Sequence, residues 1–172
     1  MDGGRWSHSP SAPGKGNGEG YSRLAPPDEY MPEDPDEHGR SESDDTHSLP
    51  EPSPTHGAED VVRIQVEALR HNDHPRDDAG IETAWRFASP ANRANTGPFD
   101  AFRRMVRSEP YAAMVDHREA TLGPVEVRDR RATAEVALTG PEGRSRTYRF
   151  RLSRDHRGDL DGCWLTDAVM TA

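Results

Sequence analysis

From about residue 59 onward, apolar and polar positions follow first a helical and then an alternating rhythm. Val61, Val62, Ile64, Val66, Ala68 and Leu69 recur at helical spacing. Glu59 and Asp60 stand at the positive end of the helix dipole and Arg70 and His71 at the negative end, which predicts a first helix. Ile81, Ala84, Trp85 and Phe87 predict a short second helix over about residues 81–88. The stretch from Phe87 to Ser108, FASPANRANTGPFDAFRRMVRS, then gathers Pro90, Asn92, Asn95 and Gly97, each of a type that favours turns, so the chain is expected to bend there. With Thr96 or Gly97 as N-cap, Pro98 at the first helical position and Asp100 in the first turn, Phe99, Phe102 and Val106 give a third helix its apolar face. Pro110 limits its length.

Beyond Pro110 the period falls to two. Residues 117–122 and 125–128 predict a strand pair around Gly123 and Pro124. Ala132, Ala134, Val136 and Leu138 alternate with more polar neighbours, the run Gly140-Pro141-Glu142-Gly143 turns the chain, and Tyr148, Phe150 and Leu152 alternate with Thr147, Arg149 and Arg151. A last strand is expected over 163–170. Three N-terminal helices packed on a curved antiparallel sheet of four to five strands is an α+β order.

Charge and composition divide the chain. Residues 1–58 hold 12 acidic and 4 basic residues, a net of -8, out of -9 for all 172 residues, so residues 59–172 are nearly neutral. The same 58 residues carry 9 of the 15 prolines and 8 of the 15 glycines, with Leu24 and Leu49 as their only aliphatic side chains larger than alanine, methionine aside. Such a segment buries too little apolar area to offset its conformational entropy. It is expected to be a disordered acidic tail, whose deletion to residue 56 leaves stability almost unchanged. The island YSRLAPPDEYM is its one candidate docking motif, against the commoner reading of a solvated spacer.

One cysteine, Cys163, excludes an intramolecular disulfide and a multi-cysteine zinc site. No stretch approaches the roughly 20 apolar residues of a membrane span. With no apolar leader and an acidic N-terminus, the cytoplasm is the expected compartment. No metal site is assigned: His8, His38, His47 and His56 are too widely spaced, and Pro75 breaks the helix that would align His71 with His74. No cofactor is called for. Arg144, Arg146, Arg149, Arg151, Arg154 and Arg157 form a basic strip, but a near-neutral domain with an acidic tail makes nucleic acid an unfavoured partner.

The long central motif, together with PYAAMVDHR and the terminal GCWLTDAV, resembles an uncharacterised family of the nuclear transport factor-like superfamily, a cystatin-like α+β fold. The resemblance covers about residues 61–170. It implies that sheet and helices enclose a cone-shaped pocket, in a superfamily that spans isomerases, dehydratases, transport factors and association domains. Fold alone therefore does not choose a function. The expected division is a tail over 1–58 and an α+β domain over 59–172. The favoured function is a non-enzymatic small-molecule-binding or association domain, with a homodimer through the half-wet sheet face as the expected assembly and an unknown small apolar ligand or a protein as partner. The alternative is a small acid–base enzyme of isomerase or dehydratase type.

In such a pocket, His117 oriented by Asp167 could act as a general base, and Tyr148 with Asp167 could supply hydrogen-bond donors. These are weak catalytic candidates, since each has an ordinary structural reading. For ligand binding the candidates are Arg93, able to hold an anion at the mouth, Trp164, able to stack, and Tyr148. Arg93 in a salt bridge that fixes the turn and Trp164 as a core aromatic are the competing readings.

Overall fold

The computed structural model describes residues 48–172. The order is α1 (Ala58–Arg70), α2 (Ala79–Arg86), α3 (Pro90–Thr96), α4 (Phe99–Val106), β1 (Glu119–Arg128), β2 (Arg131–Thr139), β3 (Ser145–Ser153) and β4 (Leu165–Thr171), with 3-10 turns at Ala112–Met114 and Gly158–Leu160. The strands form one antiparallel sheet in the order β1-β2-β3-β4. Ala132, Ala134, Val136 and Leu138 of β2 and Tyr148, Phe150 and Leu152 of β3 are buried, as the alternation predicts. They share one core with Val61, Val62, Leu69, Ile81, Phe102 and Val106 from the helices. This is an α+β domain.

Several expectations are corrected. The run read as a bend, Pro90–Thr96, is a fourth helix. Its turn-favouring residues are also capping residues: the Ser89 hydroxyl accepts from the Asn92 N–H at 3.2 Å, Pro90 begins the helix, and Gly97 ends it at φ 83°. Helix α4 accordingly starts at Phe99, with Pro98 in the cap position rather than the first turn. The second correction concerns Gly123 and Pro124, which lie inside one bulged strand and not between two. The register steps from Leu122↔Val136 to Val125↔Ala134, one extra residue on β1. Proline is tolerated because β1 lies at the sheet edge. The final strand starts at Leu165, two residues later than expected, with Cys163 and Trp164 buried just before it.

The proposed tail lies outside the described residues as far as residue 47. Packing nevertheless begins upstream of the expected boundary. Leu49 is 6% exposed, Glu51 pairs with Arg86 at 3.0 Å, and the His56 ring lies 6.3 Å from that of Phe87. Truncation to residue 56 therefore removes a buried leucine, and the expectation of an unchanged stability no longer follows.

Helices α1 and α2 meet at a corner with almost no free space. A Cβ on Gly80 would lie 2.1 Å from the Ala68 carbonyl oxygen and 2.9 Å from the Asn72 Cα. The Gly80 N–H donates to the Asn72 carbonyl at 2.9 Å, and the fully buried Asn72 side chain accepts from the Ile81 N–H at 3.0 Å. Asp78, at φ 59° before α2, receives Arg103 and Arg107 from α4 and the Asn72 amide from the α1 side. Burial pushes the Asp78 carboxyl up, but the bonds from Arg107 and Asn72 and the charges of Arg107 and Arg103 outweigh it, so the net shift is down.

Gly80→Ala is expected to lose at least about 1–3 kcal/mol in urea unfolding, because the backbone it would strike cannot rotate away. Asp78 has a folded pKa below its unfolded value. Its contribution is therefore present above about pH 4 and lost as the pH falls through the folded value. Asp78→Asn should destabilise the domain at pH 7, and its deficit against the wild type should narrow in unfolding curves taken below about pH 4.

Candidate functional site

A cavity of about 300 Å3 lies between α1, α3, α4 and the β3–β4 part of the sheet. Its walls are mainly apolar: Leu69 from α1, Phe102, Met105 and Val106 from α4, Phe150 from β3 and Val169 from β4. The alternation of β3 aims Phe150 inward, and the helical spacing of Phe102 and Val106 puts both on the face that meets it. Exposed Asn95 marks where the lining reaches solvent.

Polar side chains enter this wall already tied to the protein. Gln65, only 3% exposed, donates from Nε2 to the Val61 carbonyl at 3.0 Å and to the Thr166 Oγ1 at 2.8 Å, and Thr166 Oγ1 donates back to Gln65 Oε1 at 3.2 Å. Asn92 Nδ2 donates to the Thr166 carbonyl at 3.0 Å, binding α3 to β4. The Thr96 hydroxyl donates to the Asn92 carbonyl at 3.0 Å, and the Tyr111 hydroxyl to the Val169 carbonyl at 3.0 Å. A satisfied buried network of this kind fixes the wall's shape.

Of the candidate catalytic and ligand-binding residues, Asp167 alone is part of the cavity's lining; it also lines a separate pocket with Ser153, Arg130, Arg131, His156 and Arg157, and its Oδ1 accepts from the Ser153 hydroxyl at 3.0 Å. His117 is 3% exposed, with Nδ1 at 2.8 Å from the Met114 carbonyl, and its buried Nε2 has no hydrogen-bond partner among the described residues. His117 and Asp167 share no hydrogen bond and line no common cavity. Tyr148 is fully buried and donates to the Pro110 carbonyl at 2.6 Å; burial is the largest reason its pKa is raised. Trp164 is 6% exposed under the Arg154 guanidinium, which lies 5.3 Å from the ring centroid. Cys163 is fully buried, and burial followed by the nearby Asp161 charge raises its thiol pKa, away from the reactive thiolate.

Arg93 turns back on its own helices. Nε donates to the Trp85 carbonyl at 3.1 Å and a terminal nitrogen to the Arg86 carbonyl at 2.7 Å, while the guanidinium lies 4.2 Å from the Trp85 ring centroid. Burial lowers its pKa. A cation capping the last carbonyls of α2 complements that helix end; these are bonds to backbone carbonyls, and among the described residues Arg93 makes no salt bridge. In the basic strip, Arg146 pairs with Glu109 at 2.7 Å and Arg149 with Glu135 at 2.6 Å. Among the described residues no group of three or more His, Cys, Asp or Glu could hold a metal ion, and no helix is long and apolar enough to cross a membrane.

Reasoning from the sequence missed Gln65, Thr166, Asn92 and Tyr111. Gln65 had one available signal, a glutamine on the apolar side of an amphipathic helix. The others depend on contacts between distant segments.

An α+β domain with a mainly apolar cavity between its helices and its sheet defines the class. The chain belongs to the family described as a domain of unknown function, DUF4864, whose model matches residues 53–172. No curated protein and no solved structure matches it.

Arg93→Ala is expected to cost about 1–3 kcal/mol in urea unfolding, from two charge-assisted bonds to carbonyls left without their donor. A loss below about 0.5 kcal/mol would show that these bonds do not hold the end of α2.

Proposed function

We propose that this domain is a non-enzymatic binding domain whose cavity takes a small, largely apolar molecule. The observation that carries the reading is the cavity itself: about 300 Å3 of space inside a folded domain, walled by apolar side chains with a few fixed polar groups. Ligand pockets typically span roughly 300–1,000 Å3 with such a lining. The nuclear transport factor-like cone is the fold proposed for it, on the resemblance of the central and terminal motifs together with helices over one face of an antiparallel sheet. A self-association face is proposed on the opposite side of the sheet, where Met170, 39% exposed, pairs with Arg149 across β3 and β4.

The acid–base alternative has weaker support. It needs His117 beside an orienting carboxylate and open to a substrate, whereas Nδ1 is held by the Met114 carbonyl and Asp167 by Ser153.

The test is titration with 1-aminoanthracene, an uncharged fluorescent probe of apolar cavities. Val106→Phe, which adds bulk to the cavity wall, should weaken probe binding by at least about tenfold, or about 1.4 kcal/mol, with a urea midpoint no lower than that of the wild type. A wild-type domain that leaves the probe unbound, or equal binding by both proteins, overturns the reading.

A further inference from the structure

The antiparallel strand order brings the β1–β2 turn and the β3–β4 connection to the same end of the sheet. Two runs of like pattern meet there, Arg128-Asp129-Arg130-Arg131 and Arg154-Asp155-His156-Arg157. They are tied to each other: the Arg154 N–H donates to the Arg130 carbonyl at 3.0 Å, and the Arg130 guanidinium pairs with Asp155 at 2.8 Å. Beside them lies a concavity of about 560 Å3, whose lining includes Arg130, Arg131, His156 and Arg157 together with Pro90 and Ala91 of α3.

The two carboxylates in this lining are already engaged. Asp155 holds Arg130, and Asp167 Oδ1 accepts from the Ser153 hydroxyl at 3.0 Å. His156 turns its Nε2 to the Ser153 carbonyl at 2.9 Å. Arg131 and Arg157 are exposed and form no salt bridge among the described residues. Three guanidinium groups against two carboxylates leave a positive excess in the lining, and it resides on these two arginines.

A guanidinium presents paired N–H donors that match two oxygens of a carboxylate or a phosphate. One arginine therefore satisfies a carboxylate. Two arginines from separate loops on one concavity suit an anion with three oxygens and two charges, which is the phosphate group of a monoester. A long polyanion would meet the net charge of -9 on the whole chain, whereas a small ligand meets only the local excess. Pro90 and Ala91 offer apolar contact to the ester's organic part.

We infer that this concavity is a second ligand site, which takes the phosphate group of a small organic phosphate, with Arg131 and Arg157 as the residues that hold it. The inference stands independently of what the apolar cavity binds.

The experiment titrates the full-length, isotope-labelled protein with glycerol phosphate, inorganic phosphate and acetate at constant ionic strength, reading amide and arginine Nε–H signals by NMR. It is run at about pH 7.5, where a phosphate monoester is mainly a dianion. Glycerol phosphate should saturate the signals of residues 130–131 and 153–157 with a Kd of about 1 mM or below, and acetate should bind at least about tenfold more weakly. Arg131→Gln and Arg157→Gln should each weaken glycerol phosphate binding at least about tenfold with an unchanged urea midpoint. Arg144→Gln, exposed in the β2–β3 turn at the other end of the sheet, should bind as the wild type does. No saturation by about 10 mM, acetate binding as tightly as glycerol phosphate, or an equal loss in Arg144→Gln overturns the site. Tighter binding of inorganic phosphate than of glycerol phosphate overturns the assignment to an organic phosphate.

Discussion

Helix α2 lies where it does because Gly80 has no side chain. At 2.1 Å from the Ala68 carbonyl oxygen, the position a Cβ would take is already inside another backbone, so the two helix axes could not approach as they do with any other residue. The buried Asn72 makes the same corner polar and directional. Its backbone carbonyl and side-chain oxygen accept from Gly80 and Ile81, the first free N–H groups of a helix that has no side-chain cap at Asp78. Asp78 then joins this corner to α4 through Arg103 and Arg107. One small residue and one carboxylate thereby fix three helices relative to each other.

The remainder of the helical layer follows from where α2 ends. Phe87 and Ser89 exchange backbone bonds with Thr166, at 2.8 and 2.9 Å, and Ala88 forms a parallel bridge to it, so the exit of α2 is fastened to the start of β4. Arg93 and Asn92 make the second attachment, one back to the end of α2 and the other forward to β4. Helix α3 is seven residues long and has no buried residue of its own. Hydrogen bonds hold it in place, not a hydrophobic face. The cavity is the space left between an α3 positioned in this way and the apolar faces of α4 and β3.

The donors of the cavity's polar residues thus assemble its wall: Gln65, Asn92, Thr96, Tyr111 and Thr166 each donate to another protein oxygen.

Periodicity alone determined much of this protein. The helical face of Val61, Val62 and Leu69, the inward face of Phe102 and Val106, and the two-residue alternation of β2 and β3 were all legible, because burial on one side of a regular element leaves a regular mark in the sequence. Local chemistry was ambiguous where one residue type serves two conformations: Ser, Pro, Asn and Gly between residues 89 and 97 suit a turn and also cap a short helix, and only the attachment of Asn92 and Ser89 to β4 decided for the helix. The same holds for β1, where Gly123 and Pro124 end a strand in isolation but form a bulge once β2 supplies a partner. The site was the least legible part. Arg93, His117, Tyr148 and Asp167 carry the right chemical types, but a side chain's role depends on which backbone carbonyl it reaches. The carbonyls of Trp85, Met114 and Pro110, which hold the first three, carry no residue-specific signal in the sequence. Gln65 and Thr166 meet across 101 positions of chain, a distance that only the folded sheet and helix layer could close.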